Sequence, residues 1–200
     1  MTNGWLGLAV VVYVAGLVIL REKRQGLMGY VWGAFGLAGL IILFGEYGGW
    51  NVPLGAVQID ALAWLGGLAG LGLSTLGPGT LVVPDPSGWS VLTVGIECST
   101  LIESAVFIGL VLFYPRFPPA DRFMRLILGL GGTLLVNLVR LSVIVGMAYL
   151  LGKPAVPWAH AVVARLVFFA GIVVIYWKLM TLPTLHLVRR DMEVSGRAVR

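Results

Sequence analysis

Six long apolar stretches dominate this chain, at roughly 4–20, 26–45, 59–76, 98–114, 124–150 and 158–177. Most approach the ~20 residues that a helix needs to cross a bilayer. So much apolar surface cannot be buried in a water-soluble domain of 200 residues, because 58% of the chain is hydrophobic and only 12% is charged. We therefore expect an all-α polytopic membrane protein with about six hydrophobic helices. Residues 1–180 form one membrane-embedded domain, and 181–200 a basic cytoplasmic tail. Glycine clusters such as Gly66-Gly67 and Gly131-Gly132 suit the close approach of helices in lipid. No G-x-x-x-x-G-K-S/T pattern is present, so a phosphate-binding loop is not expected.

The net charge of +5 is clustered: Arg21, Lys23 and Arg24; then Arg116, Arg122 and Arg125; then Arg189, Arg190, Arg197 and Arg200. Clusters between apolar runs are a positive-inside signature. The partner they imply is a lipid bilayer, in a plasma or inner membrane, and not a nucleic acid. The first apolar run precedes its basic cluster, the order of a membrane anchor and not of a cleavable signal. Arg116–Arg125 and the tail are expected in the cytoplasm, which puts 151–157 and the segment before Cys98 outside. From Gln25 to Pro115 there is no Lys or Arg. If Arg21–Arg24 is also cytoplasmic, an even number of crossings separates it from Arg116. Stretch 59–76 is then re-entrant or lies at the outer surface, giving five full spans. Six full spans place Arg21–Arg24 outside, against the charge rule. Both topologies stand at this point.

Residues 77–97 differ in kind. Thr80-Leu-Val-Val and Trp89-Ser-Val-Leu-Thr-Val94 flank Pro84-Asp-Pro-Ser-Gly88, which reads as two short strands around a turn. A short extracytoplasmic β-hairpin is expected to run into the helix that begins at Cys98, as a lid or substrate edge, or as a mere connector.

Cys98 is the only cysteine. A free cysteine is commonly an inert apolar filler, but this one has unusual company. Glu97 precedes it and Ser99 and Thr100 follow it, residues that suit a helix start. A helix N-terminus favours the thiolate. Arg140 lies deep in the fifth stretch, where an arginine costs ~2.5–3.5 kcal/mol even on the mildest scale. It starts ~15 Å below the expected end of its helix near Leu150 and can snorkel upward. Asn137, one turn away, can hold the guanidinium or donate to a substrate carbonyl. His160 follows two prolines and Trp158 at the start of the sixth stretch, so Cys98, His160 and the reach of Arg140 fall in one layer. A thiol, a cation and a histidine at one depth suggest a nucleophile and the groups that activate it. Glu103 and Arg165 each lie five residues beyond Cys98 and His160, ~7.5 Å deeper. A Glu103–Arg165 ion pair and a Glu103–Arg140 pair are the competing pairings. The His and Cys residues do not have zinc-site spacing, and no metal or cofactor is expected.

Glu97-Cys98-Ser99-Thr100, Asn137-Leu-Val-Arg140 and His160 together resemble the motifs of the exosortase/archaeosortase family of integral-membrane cysteine transpeptidases. The resemblance covers about 77–177, the expected catalytic part. It departs from the family at Thr100, where a glycine is often found, and in the shortness of the chain. It implies cleavage of a C-terminal sorting signal on a membrane-anchored protein through a thioester acyl-enzyme. In that reading Cys98 is the nucleophile, Arg140 stabilises the oxyanion or thiolate, and His160 protonates the leaving amine. The main alternative is a non-catalytic scaffold for a surface-polysaccharide or glycosyltransferase system. A small transporter lined by Arg140, Arg165 and Glu103 is the third reading; it predicts internal repeats, and no convincing ones are found.

Overall fold

The computed structural model describes residues 3–198. Of the tail's basic cluster, Arg200 lies outside them and Arg197 outside the described side chains. The chain runs α1 (Asn3–Glu22), α2 (Gly26–Tyr47), α3 (Asn51–Leu68), β1 (Ser74–Gly77), β2 (Thr80–Asp85), β3 (Gly88–Thr93), α4 (Leu101–Phe113), α5 (Pro119–Leu151), α6 (Val156–Trp158), α7 (Ala164–Tyr176) and α8 (Leu182–Ala198). It is a helical membrane protein with a small antiparallel sheet.

Among the described residues, four helical runs are long and apolar enough to cross a membrane: Gly4–Glu22, Gly26–Tyr47, Pro119–Leu151 and Lys153–Arg190. Apolar side chains stand exposed along α1, among them Trp5, Leu8, Val11, Val14 and Val18. A helix this apolar, packed on one side against α2 through Tyr13 and Trp32 and otherwise exposed, is solvated by lipid. The expectation of six such stretches is thus met by four. α4 is apolar but has only 13 residues, ~20 Å at 1.5 Å per residue. α3 carries Gln58 and Asp60 in its middle.

Stretch 59–76 needs correction. Its helix begins at Asn51 and stops at Leu68, because Gly70 and Gly72 take left-handed backbone (φ +69° and +62°) that glycine adopts without a Cβ clash. The remainder becomes β1, a third strand where two were expected. The sheet order is β1-β2-β3, with both pairs antiparallel.

Side chains alternate along a strand, and β2 uses this to anchor the sheet. Leu81 and Val83 are wholly buried on one face. They pack on Ile59 and Leu62 of α3 and on Leu141, Ile144 and Val145 of α5, and Cys98 belongs to the same cluster. At the β2–β3 turn, Asp85 accepts hydrogen bonds from Ser87 N (2.7 Å) and from the hydroxyls of Ser87 and Ser90. These bonds, Ser87's first, hold the Asp85 carboxyl below the usual range.

The helices close on one another through small residues. Gly109 of α4 sits against the Ala34 carbonyl of α2, where any side chain would collide with backbone. The α1–α2 turn and the end of α4 meet at one end, where Arg21, Arg24, Tyr30, Phe113 and Pro115 line a cavity of about 310 Å³. Arg122 and Arg125 are tied down at that end: Arg122 donates to Phe117 O (2.8 Å) and Tyr114 O (3.0 Å), and Arg125 donates to Leu179 O. The sheet caps the opposite end.

Candidate active site

Local backbone chemistry holds Cys98 in place. Gly95 is extended, Ile96–Cys98 form a 3₁₀ turn, and Thr100 then takes a left-handed conformation (φ +66°) before α4 begins. The helix expected to begin at Cys98 therefore starts at Leu101. Cys98 lies outside the first turn of α4. A threonine at positive φ costs on the order of 1–3 kcal/mol and persists only where its surroundings over-determine it. Here they do. Ser99 is fully buried and Thr100 nearly so. Ser99 O accepts from Gln58 Nε2 (3.1 Å) and from the Thr100 hydroxyl. Ser99 Oγ donates to Ile96 O (2.9 Å) and accepts from Leu101 N (3.4 Å).

Arg140 faces the sulfur. Its Nη2 donates to Cys98 Sγ (3.5 Å) and its Nη1 to Glu97 O (3.4 Å). The guanidinium carbon lies 5.2 Å from the centre of the Phe168 ring. Thiol and guanidinium are 6% and 5% exposed, so their contact is shielded from bulk water. Glu97 contributes its main-chain carbonyl here, while its side chain is exposed.

Asn137 does not hold the guanidinium. Its Nδ2 donates to Cys98 O (2.7 Å) and to Gln58 Oε1, so it fixes the thiol's own backbone. Gln58 escaped the sequence reading. Its amide joins α3 to both the Cys98–Ser99 turn and α5 and is 3% exposed. The only sequence signal was an amide placed between Val57 and Ile59.

His160 lies in a π-helical turn, Ala159–Val163, a local bulge that recurs at functional sites. His160 and Cys98 line one cavity of about 40 Å³, walled by Leu81, Thr93, Leu141 and Ile144. That space holds a water or two, and a peptide would have to open it.

The second charge layer does not form as expected. Arg165 is exposed, and among the described residues it makes no ion pair with Glu103. Glu103 is half-buried, its Oε2 has no hydrogen-bond partner, and it makes no ion pair with Arg140. Equal height along two helices does not by itself bring their charges within ion-pair distance. Among the described residues no three His, Cys, Asp or Glu side chains converge as a metal site would require.

Compared with known proteins, the chain matches no family model, and no curated protein or solved structure matches it.

Proposed function

We propose that this protein is a membrane-embedded cysteine transpeptidase or protease of the exosortase/archaeosortase kind. The observation that carries the reading is the buried contact between the Arg140 guanidinium and Cys98 Sγ, beside a cavity shared with His160. Thr100 adds support. It is the position where the family pattern often has glycine, and its backbone occupies the region that glycine favours.

In this mechanism Cys98 gives its thiol proton to His160, and the thiolate, held by Arg140, attacks a substrate carbonyl carbon. The new S–C bond leaves an oxyanion that the same guanidinium can neutralise. As the C–N bond breaks, His160 gives its proton to the departing amine. A thioester remains on Cys98. An incoming amine resolves it to a new amide, or water resolves it to an acid. The substrate class is a membrane-anchored protein with a C-terminal sorting signal.

The orientation follows from charge. Arg21, Arg24, Arg122 and Arg125 gather at the end opposite the sheet, which the positive-inside rule assigns to the cytoplasm. Crossings by α2 and α4 are the even number required between Arg24 and Arg116, with α3 at the outer surface. The chain then spans five times, and the thiol faces the extracytoplasmic side.

The test is trapping. Candidate membrane-anchored substrates are co-expressed with wild type, Cys98→Ala, Arg140→Gln and His160→Ala. The expected product is a hydroxylamine-sensitive adduct, seen by intact mass only when Cys98 is present and reduced at least tenfold in the other two variants. Equal processing of its pathway's substrates by Cys98→Ala would sink the enzyme reading and leave a scaffold for a surface-polysaccharide or glycosyltransferase system.

A further inference from the structure

The sheet has an open side. In the order β1-β2-β3, the strand β3 is an edge, and the pairing register tells which of its groups are free. Pro84 is paired with Trp89. Proline has no N–H, so this cannot be a pair that exchanges both backbone bonds. Narrow and wide pairs alternate along an antiparallel ladder, so Gly88, Ser90 and Leu92 bond to β2. Trp89, Val91 and Thr93 therefore turn their N–H and C=O groups away from it. Among the described residues no other backbone bond reaches these groups.

A groove of about 380 Å³ runs beside this edge, lined by Trp89, Ser90 and Val91 on one side and Lys153, Val156 and Pro157 on the other. Three consecutive strand residues point to alternating faces, so a groove touching all three follows the edge and not a face. The opposite wall belongs to the helical start of the last run, and a helical wall cannot pair with a strand. Sheets usually blunt an open edge with lysine, proline or a bulge. Gly88–Thr93 has none of these, and it exposes Trp89 (61%) and Val91 (44%) instead. The next residues, Leu92, Thr93 and Val94, line the cavity of Cys98 and His160, so the strand leads from the groove to the thiol's cavity.

We propose that the free edge of β3 is the substrate-docking strand. The extended segment preceding the scissile bond adds as a fourth strand beside Trp89–Thr93, runs parallel to β3, and delivers its carbonyl to Cys98. Recognition is then largely through main-chain hydrogen bonds, as in β-strand addition elsewhere, with side chains of the segment read by the Trp89–Lys153 wall. This inference rests on the proposed thiol chemistry.

The test uses a sequence-neutral probe, acetyl-tetraalanyl chloromethyl ketone, with iodoacetamide as the small reference reagent. Alkylation of Cys98 in the full-length protein is followed by mass. The expected result is that the peptide reagent reacts at least tenfold faster than the same peptide with N-methylated amides. Val91→Pro, which removes a donor facing the groove and none in the ladder, should remove that advantage and leave the iodoacetamide rate within twofold. Equal rates for the peptide and its N-methylated form would overturn the docking strand while leaving the nucleophile in place. Failure of Cys98 to react with either reagent would overturn the nucleophile itself.

Discussion

Asn137 shows how a single amide can organise a thiol. It donates to the Cys98 carbonyl and to Gln58, and all three residues are buried. Removing one partner of a buried polar contact costs about 1–3 kcal/mol, whereas removing both can be nearly neutral. Asn137→Leu is thus expected to lower the thermal midpoint in detergent by several degrees. The double variant Gln58→Leu, Asn137→Leu should recover part of that loss, and additive losses would show that the two amides act separately. Thr100→Gly gives the opposite kind of test. It relieves a left-handed strain of about 1–2 kcal/mol but loses one hydroxyl bond and gains chain entropy, so the midpoint should scarcely move and Cys98 should stay reactive. A drop of ten degrees would mean that the hydroxyl, and not the backbone, sets the turn. Cys98, Arg140 and His160 were legible in the sequence because a titratable group in an apolar run stands out. Gln58 was not, since one amide beside Asp60 in a mixed helix looks like surface. Arg165 misled for a geometric reason: helical rise fixes height, while facing depends on rotation and packing.

Among the elements, the hairpin is the one whose stability responds to mild acid. The Asp85 carboxyl is depressed below its unfolded value by bonds from Ser87 and Ser90. A depressed acid stabilises the fold above its unfolded pKa, near 4, and loses that contribution as pH falls through the folded value. Amide exchange in β2 and β3 should therefore quicken as pH drops below about 4, beyond the intrinsic trend. Asp85→Asn should exchange at the faster level throughout and lose the dependence, and an unchanged profile would rule the carboxylate out. The turn residues Pro84–Gly88 and the alternation around them were readable. β1 was not, because Leu71 to Leu76 continue an apolar run and only the left-handed Gly70 and Gly72 separate strand from helix. The start of α4 was missed for a similar reason. Sequence marks where a helix can begin, and a left-handed Thr100 delayed it.

At the scale of the molecule the sheet lies opposite the basic residues Arg21, Arg24, Arg122 and Arg125, which makes sidedness measurable. In a Cys98→Ala background, a cysteine at Ser87 should label with an impermeant maleimide in intact cells. A cysteine at Lys23 should label only after permeabilisation. Labelling of both from outside would restore the six-span arrangement, in which α3 crosses the bilayer and the site keeps its outward face. Composition alone had specified the solvent. The span count does not follow from it, because α3 is apolar by content yet carries Gln58 and Asp60, and α4 is apolar yet only 13 residues long.

The closeness of the walls around Cys98 has a kinetic meaning. A cavity of about 40 Å³ admits water and little else, so every encounter between the sulfur and a larger reagent waits for the surrounding helices and strands to part. Alkylation should then climb with reagent concentration and level off at a ceiling that no excess can raise. That ceiling is the frequency at which the protein opens, and it sets how fast oxidants and stray electrophiles can reach the sulfur.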